Sequence, residues 1–414
     1  MDNYSDVPDA DIQRFQELAI LAGQVFNPTT PVSEKDMFSG RTEQIRRIID
    51  IIFQKGQHAI IFGERGVGKT SIANVISSFV SKPNILLATR INCDKADTFD
   101  TVWLKAFDEM QLIKGKMQMG FNQQVEQNMI TSKNFFVNGK ASPNDVRKAL
   151  IQLSENFLPV IIIDEFDRLD ENERKLFADL IKSLSDYALN ATIVLIGVGD
   201  SVENLIHEHQ SVLRALIQVQ MPRMKNEEIK FIIENAIRKL GMKIVPDVLN
   251  QITLLSKGLP HYTHLIGLHA SRDALDNHSL EIQQQNFDLA IEKAIKDSQH
   301  SIKTDYYKAI KSAYKNNLFA EVLLSCALCK VNELGEFAAQ DLREPMLTVT
   351  GKNYKIPHYA QHLNEFALEK RGNILIKSGE RRFFRYKFKD PLMQPLVIMQ
   401  GIIDKRITKQ SLEQ

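Results

Sequence analysis

The chain has 414 residues, 43% of them hydrophobic and 25% charged, with a formal net charge of +1. This is ordinary globular composition with room for two or three domains. Apolar runs such as VIII at 160–163 are far too short to span a bilayer, and the acidic, polar start MDNYSDVPDADIQRF is unlike a secretory signal. Three cysteines exclude a disulfide framework, so a cytoplasmic protein without membrane contact is expected.

Residues 9–24 (DADIQRFQELAILAGQ) predict a short helix, followed by the Pro/Thr/Ser-bearing connector NPTTPVSEKDMFSG. GRTEQIRRIIDIIFQKG then has apolar positions at helical spacing and ends on a glycine. Short β-branched runs follow at 58–63 (HAIIFG), 84–92 (NILLATRIN), 159–164 (PVIIID), 192–199 (TIVLIGVG) and 216–221 (LIQVQM), alternating with amphipathic helices such as TSIANVISSFV and ERKLFADLIKSLSDYAL. The alternation predicts an α/β fold with a mostly parallel sheet and helices on both faces. Between 112 and 143 the pattern lapses into Gln/Asn-rich sequence, read as a loop insertion. After Pro222 strands are expected to stop. Helical periodicity runs from 226 to 298, with Ile229, Ile232, Ile233, Ala236, Ile237 and Leu240 on one face of the first helix. Further on, two or three helices precede a two-strand hairpin, NILIKSGERRFFRYKF, an order that suits a winged helix. Cys326 and Cys329 form a CxxC pair within the apolar stretch EVLLSCALCKV, where core packing explains them better than metal or redox chemistry. His261, His264 and His269 do not share one helix face, so packing or nucleotide-edge contact is favoured over metal.

The phosphate-binding signal is specific. Gly63, Glu64, Arg65, Gly66, Val67, Gly68, Lys69 and Thr70 fit the pattern GxxxxGK[ST] between an apolar strand and a helix, with Ser71 beside them in that helix's first turn. Glycines let backbone N–H groups curl around phosphate oxygens at a helix N-terminus. Lys69 would reach the β- and γ-phosphates, and Thr70 would ligate Mg²⁺. A second element, Val160 to Glu165, is an apolar strand ending in adjacent carboxylates. Asp164 is placed to hold the Mg²⁺ shell and Glu165 to polarise an attacking water. ATP with Mg²⁺ is therefore the expected cofactor, and Mg-dependent ATP hydrolysis the expected activity.

FSGRTEQI, GERGVGKTSIA, RINCD, IIIDEFDRL and IGVGDS together resemble the AAA+ ATPases. The branch they resemble is the origin-recognition and initiator-type group, with its bacterial relatives and the neighbouring STAND switch ATPases. The resemblance spans residues 36–300, and 319–400 resembles the winged-helix domain often attached to that branch. It implies a P-loop NTPase sheet, then an all-α lid, then a winged helix. Asn92 matches the asparagine that holds the catalytic glutamate until a partner binds; an amide can do this without neutralising the carboxylate. A strand-end Asn closing a turn is the plain alternative. Asp200 or Ser201 falls at the sensor position, and Phe38, Gly40 and Arg41 near adenine. Arg214 stands where an arginine finger would reach a neighbour's γ-phosphate, with Arg223 as runner-up and a surface ion pair as the plain alternative. A finger requires an oligomer, so self-association on ATP binding is expected. Where many relatives place an arginine in the lid, this chain has Gly258-Leu259-Pro260-His261, which resembles the GxP turn of STAND lids. Pro260 would start a helix and pack on adenine, while His261 is only partly charged near pH 7. Slow turnover with lid-held nucleotide is implied.

The basic charge collects at the end: residues 301–414 hold 19 Lys/Arg against 12 Asp/Glu, so any nucleic-acid contact is expected there. In the hairpin, alternation predicts Phe384, Tyr386 and Phe388 facing the core and Arg385, Lys387 and Lys389 facing solvent. Lys377, Arg381, Arg382, Arg385 and Lys387 are the candidate contacts to DNA or a partner, with Gln361, His362 and Asn364 the candidate groove-reading groups. Winged helices also dock proteins, which stays open.

The expected organisation is an N-terminal helix and connector (1–35), a nucleotide-binding domain (36–222), a helical lid (223–300), a linker helix (301–318), a winged helix (319–402) and a tail (403–414). The expected function is a nucleotide-dependent assembly switch, associated with duplex DNA and recruiting or regulating a partner protein of initiator or transposition-regulator type. The alternative is a STAND-like signalling ATPase of bacterial anti-phage defence acting on a separate effector.

Overall fold

A computed structural model describes residues 9–27, 41–80, 86–118, 136, 140–198, 210–313, 317–332, 334–380 and 383–412. The chain forms two compact units: residues 1–31, 65–67 and 222–414 make one, and 32–64 with 68–221 make the other.

The second of these is an α/β layer structure. Strands β1 (His58–Gly63), β2 (Leu86–Asn92), β3 (Leu158–Asp164), β4 (Thr192–Val198) and β5 (Leu216–Gln220) form one sheet, in the order β2-β3-β4-β1-β5. All its pairings are parallel. Parallel neighbours need crossovers, and the crossover helices cover the sheet, so the inner strands β1, β3 and β4 are near-continuous apolar runs, while the edge strands β2 and β5 carry polar residues. Every residue of β3 is buried. Helices Lys69–Val80, Phe99–Gln118, Pro143–Ser154 and Glu171–Asp186 supply the cover. Pro143 sits in the first turn of its helix, whose capping box pairs Ser142 with Asp145. An aromatic cluster fills one layer: Phe99 and Phe177 lie 4.8 Å apart, and Phe166 meets Phe177 edge-on at 5.3 Å. Because Phe166 is fully buried, it pins the turn that follows β3.

The segment expected as a loop from 112 to 143 is helical over its first residues. The helix that begins at Phe99 continues to Gln118, Phe136 packs edge-on against Phe107 at 5.3 Å, and the next helix starts at Pro143. The remaining residues of that stretch lie outside the described ones, as do Phe38, Gly40, Asp200 and Ser201.

In the other unit, helices Asn226–Lys239, Pro246–Leu255, Pro260–Asp276 and Gln284–Asp297 follow the expected periodicity. The expectation that strands stop after Pro222 fails in a small way. Two-residue strands β6 (Lys243–Ile244) and β7 (Glu281–Ile282) pair in parallel and tie two helical connections together. Two residues carry no readable period, so only the pairing reveals them. Helix Asp9–Val25 belongs to this unit and packs on Pro260–Asp276, burying Ala22, Val25 and Phe26. Beyond the helices His300–Ile310 and Phe319–Leu328, the chain adds β8 (Phe337–Ala338), helices Arg343–Thr350 and Pro357–Phe366, β9 (Leu375–Ser378), β10 (Arg385–Phe388) and helix Met393–Ile403. The expected hairpin is there, and β8 joins it as a third antiparallel strand, giving the order β8-β10-β9. Cys93, Cys326 and Cys329 are all buried free thiols, and burial pushes each of their pKa values up.

His58 opens β1 fully buried, its Nδ1 accepting from the Ile193 N–H at 3.0 Å, and burial lowers its pKa to about 3. His264, buried in the other unit, is lowered to about 4, first by burial and then by the nearby His261. An unfolded histidine titrates near 6.5, so between that value and about 3 the unfolded chain binds a proton that folded His58 refuses. Stability from this group is complete above pH 6.5 and is lost as pH falls, by up to about 1.4 kcal/mol per pH unit. Urea unfolding from pH 8 to pH 4 is expected to show that decline, and His58→Gln to flatten it by about one proton; an unchanged slope in the variant contradicts the assignment.

Candidate nucleotide site

The turn between β1 and the helix Lys69–Val80 bends through backbone that only glycine adopts freely, with Gly66 at φ +86° and Gly68 at φ +93°. No described atom outside the immediate chain lies within 4 Å of where a Cβ on Gly68 would stand. A side chain there would occupy the concave space that the turn leaves for an anion. Lys69 is buried and curls back on the turn, its Nζ donating to the carbonyls of Gly63 at 2.9 Å and Glu64 at 2.7 Å. The ammonium is thus held at the loop by neutral acceptors that a phosphate oxygen can replace with a stronger, charged one. Thr70 and Ser71 follow in the first helical turn, half-buried, and Arg65 is exposed.

Asp164 ends β3 with its side chain only 4% exposed. Its Oδ1 accepts from the Glu165 N–H at 2.9 Å, and its Oδ2 accepts from Arg90 Nη2 at 2.8 Å. Glu165 then turns the chain at φ +56°, a left-handed conformation that costs a non-glycine residue roughly 1–2 kcal/mol. That turn throws its carboxylate outward, where Oε2 meets Arg168 Nη1 at 3.1 Å; the same guanidinium lies 3.6 Å from Asp94 Oδ1. Hydroxyl and carboxylate oxygens are the donor set that Mg²⁺ takes, and the glycine turn with Lys69 is what phosphates take, so Thr70, Asp164 and Lys69 fit a magnesium nucleotide.

Asn92, expected against Glu165, is found elsewhere. Its register partner across the sheet is Asp164, but its exposed Oδ1 accepts from Arg90 Nη2 at 3.1 Å, and Arg168 is the group that meets Glu165. Sequence reading passed over Arg90 and Arg168. The available signal was Arg90 itself, the one charged residue of β2, two residues before Asn92, since a half-buried arginine requires an anionic partner. Arg214 ends the short helix Gln210–Ala215 and is exposed. Arg223, the runner-up finger, is anchored in its own unit, with Nη1 donating to Gln394 Oε1 at 2.5 Å and to the Lys257 carbonyl at 3.4 Å.

Pro260 and His261 begin the helix Pro260–Asp276. The turn before it depends on Gly258 at φ +75°, whose carbonyl accepts from the Met224 N–H at 3.0 Å; a Cβ there would lie 2.7 Å from the Met224 oxygen. Glycine is required because both the φ and the close approach exclude a side chain. His261 packs edge-on against Tyr262 at 5.1 Å, and His269 Nε2 lies 3.0 Å from Asp297 Oδ2. Among the described residues, no group of three or more His, Cys, Asp or Glu is placed to hold a metal ion, and no helix is long and apolar enough to cross a membrane.

In the hairpin, the expected alternation breaks at Lys387. Tyr386, Lys387 and Phe388 are all buried, Lys387 at 8% exposure. Of the basic contact candidates, Lys377 and Arg385 are exposed, and Arg381 and Arg382 lie outside the described residues. Lys377 donates to Asn364 Oδ1 at 2.8 Å and lies 3.6 Å from the centre of the Phe384 ring, which is half-buried.

Comparison with known proteins bears on this site. Residues 38–196 match the family described as the AAA ATPase domain. The Walker-type ATPase PABY2304 of Pyrococcus abyssi is similar in structure with a TM-score of 0.55 at 17% identity, covering 90% of this chain and 99% of that one. ORC2 of Aeropyrum pernix, in its ADPNP–ADP complexes, has a TM-score of 0.49 at 13% identity, covering 92% and 98% of the two chains. Cdc6p from Pyrobaculum aerophilum has a TM-score of 0.46 at 14% identity, with 93% and 99% covered. No curated protein matches the sequence. The likeness to the Pyrococcus ATPase shows a shared fold.

Two outcomes are expected at this site. Saturating ATP with magnesium should raise the unfolding free energy of the wild type, by about 2.7 kcal/mol at a hundredfold excess over Kd. Lys69→Ala should abolish that thermal shift while its melting temperature without ligand stays close to wild type; an undiminished shift removes Lys69 from phosphate binding. Gly258→Ala should lose on the order of 1–3 kcal/mol in urea unfolding, from backbone strain together with the clash on Met224.

Proposed function

We propose that the protein, whose residues 38–196 match the family described as the AAA ATPase domain, is a magnesium-dependent ATPase that works as a nucleotide-dependent assembly switch. The observation that carries this reading is the arrangement at the end of β3. Asp164, the metal-side carboxylate, is fixed by Arg90, while Glu165, the general-base candidate, is turned outward onto Arg168. Glu165 has to leave Arg168 before its carboxylate can reach an attacking water, so turnover is slow and depends on a second event. Magnesium, when bound with ATP, supplies charge neutralisation across the β- and γ-phosphates. Lys69 binds those phosphates, Thr70 and Asp164 hold the metal, and Glu165, once freed from Arg168, takes the proton of the attacking water. Arg214, exposed at a helix end, is the residue we assign to a neighbouring subunit's γ-phosphate, which makes self-association part of the active state. Pro260 and His261 are assigned to the adenine side of the nucleotide.

The order helix, short strand, two helices and hairpin in residues 319–403 supports a winged-helix reading, with exposed Lys377, Arg385 and Lys389 as its basic face. Duplex DNA is the partner proposed for that face, and a recruited protein the output of the switch. The glycine-proline turn at 258–260, tied to Met224 through the backbone, favours the second reading, a signalling ATPase of the STAND type acting on a separate effector.

ATPase rate with and without duplex DNA, together with sizing in a non-hydrolysable ATP analogue, separates these readings. DNA-stimulated turnover and retention on DNA are expected for the first; assembly with DNA-independent turnover supports the second. Glu165→Gln should bind ATP as the wild type does, lower turnover by at least about a hundredfold, and accumulate the assembled form. A variant that hydrolyses at the wild-type rate contradicts the role of Glu165.

A further inference from the structure

Arg90 does something at this site that neither the phosphate-loop pattern nor the carboxylate pair requires. It lies inside β2, where its neighbours on the strand are Thr89, buried, and Ile91, buried. Its side chain is 20% exposed, and the carboxylate it meets is 4% exposed. Three groups converge on the guanidinium: Nη2 donates to Asp164 Oδ2 at 2.8 Å and to Asn92 Oδ1 at 3.1 Å, and Nη1 donates to Asn74 Oδ1 on the helix that begins at Lys69. The helix carrying Lys69 and Thr70, the strand end carrying Asn92 and the strand end carrying Asp164 are thereby joined through one planar cation. Both oxygens of Asp164 are engaged, Oδ1 by the Glu165 amide and Oδ2 by Arg90.

We propose that Arg90 is a positioning residue that aims the Asp164 carboxylate and, as a fixed positive charge on its Oδ2, sets how much magnesium the nucleotide site requires. This rests on the reading of the site as one for a magnesium nucleotide. Asp164 cannot give its Oδ2 wholly to both cations. Two positive groups on one largely desolvated carboxylate repel each other far more than they would in water. Magnesium therefore enters only where nucleotide phosphates add enough negative charge, or where the guanidinium leans onto Asn74 and Asn92, which offer it neutral acceptors. The device couples metal entry to nucleotide and disfavours metal alone.

Binding of a fluorescent ATP analogue to the full chain, titrated with MgCl₂ and repeated in EDTA, tests the proposal without measuring hydrolysis. Arg90→Gln is expected to lower the magnesium concentration at half-saturation by about tenfold, as expected for removal of a unit charge beside a divalent ion, while affinity in EDTA stays within about twofold. Arg90→Lys keeps the charge and should stay near wild type in magnesium requirement. Asn74→Leu removes one of the neutral acceptors on which the guanidinium must lean, leaves Asp164 untouched, and should raise the magnesium requirement by about twofold to threefold. That variant keeps the proposal testable if Arg90→Gln fails to fold. Equal magnesium requirements in wild type, Arg90→Gln and Asn74→Leu overturn the proposal, as does an equal loss of affinity with and without magnesium, which marks a merely structural arginine. Failure of the wild type to bind the analogue in either condition overturns the nucleotide-site reading itself, a distinct outcome.

Discussion

A parallel sheet covered on both faces leaves its inner strands no room for polar side chains except at their ends, and the nucleotide-binding unit is arranged around that constraint. β3 is buried along its whole length, and its first acid stands at the carboxyl end, where Asp164, itself buried, finds Arg90 and the Glu165 amide as partners. β1 is buried in the same way up to Gly63, where the chain turns into the phosphate loop. Both chemical elements emerge on the same edge because parallel strands end together. Apolar packing thus decides where charge can be, and charge decides where a nucleotide can bind. The aromatic cluster reinforces this: buried Phe166, packed on Phe177, fixes the turn that carries Asp164 and Glu165 out of the core.

The site has a character of its own within that frame. Each member of the carboxylate pair meets an arginine, Arg90 on Asp164 and Arg168 on Glu165. The two pairs are not equivalent. Asp164 is almost wholly desolvated, and its ion pair acts at short range with little screening, whereas Glu165 and Arg168 are each nearly half exposed and hold each other weakly. A firmly aimed carboxylate beside a loosely held one suits the proposed switch, in which nucleotide binding and release of Glu165 are separate steps.

The C-terminal region follows the opposite logic. Its three-stranded sheet is antiparallel, and its short strands leave basic residues at the surface. Lys387 is buried, and the outward charge falls on Lys377, Arg385 and Lys389. Lys377, held by Asn364 and the Phe384 ring, is a positioned cation rather than a free one, which bears on any surface it meets.

Length and period made much legible from the sequence. The five sheet strands are continuous β-branched runs, the helices repeat near 3.6 residues, and GxxxxGK[ST] with a strand ending in two acids is a local pattern whose chemistry follows from its residue types. Elements of two residues, β6, β7 and β8, have no period and exist only through partners far along the chain. The burial of Lys387 depends on what covers β10, which alternation along a single strand does not encode. The partner of Asp164 was likewise beyond reach, because 74 residues separate it from Arg90 and only the adjacency of β2 and β3 brings them to 2.8 Å, whereas Asn92 and Glu165 meet arginines two and three residues away. The sequence by itself determined which backbone each segment adopts and where phosphate chemistry is possible, since those depend on near neighbours. Tertiary structure decided which distant charges meet, Arg90 with Asp164 above all, because such pairing is a matter of distance in space and dielectric surroundings, neither of which a linear order contains.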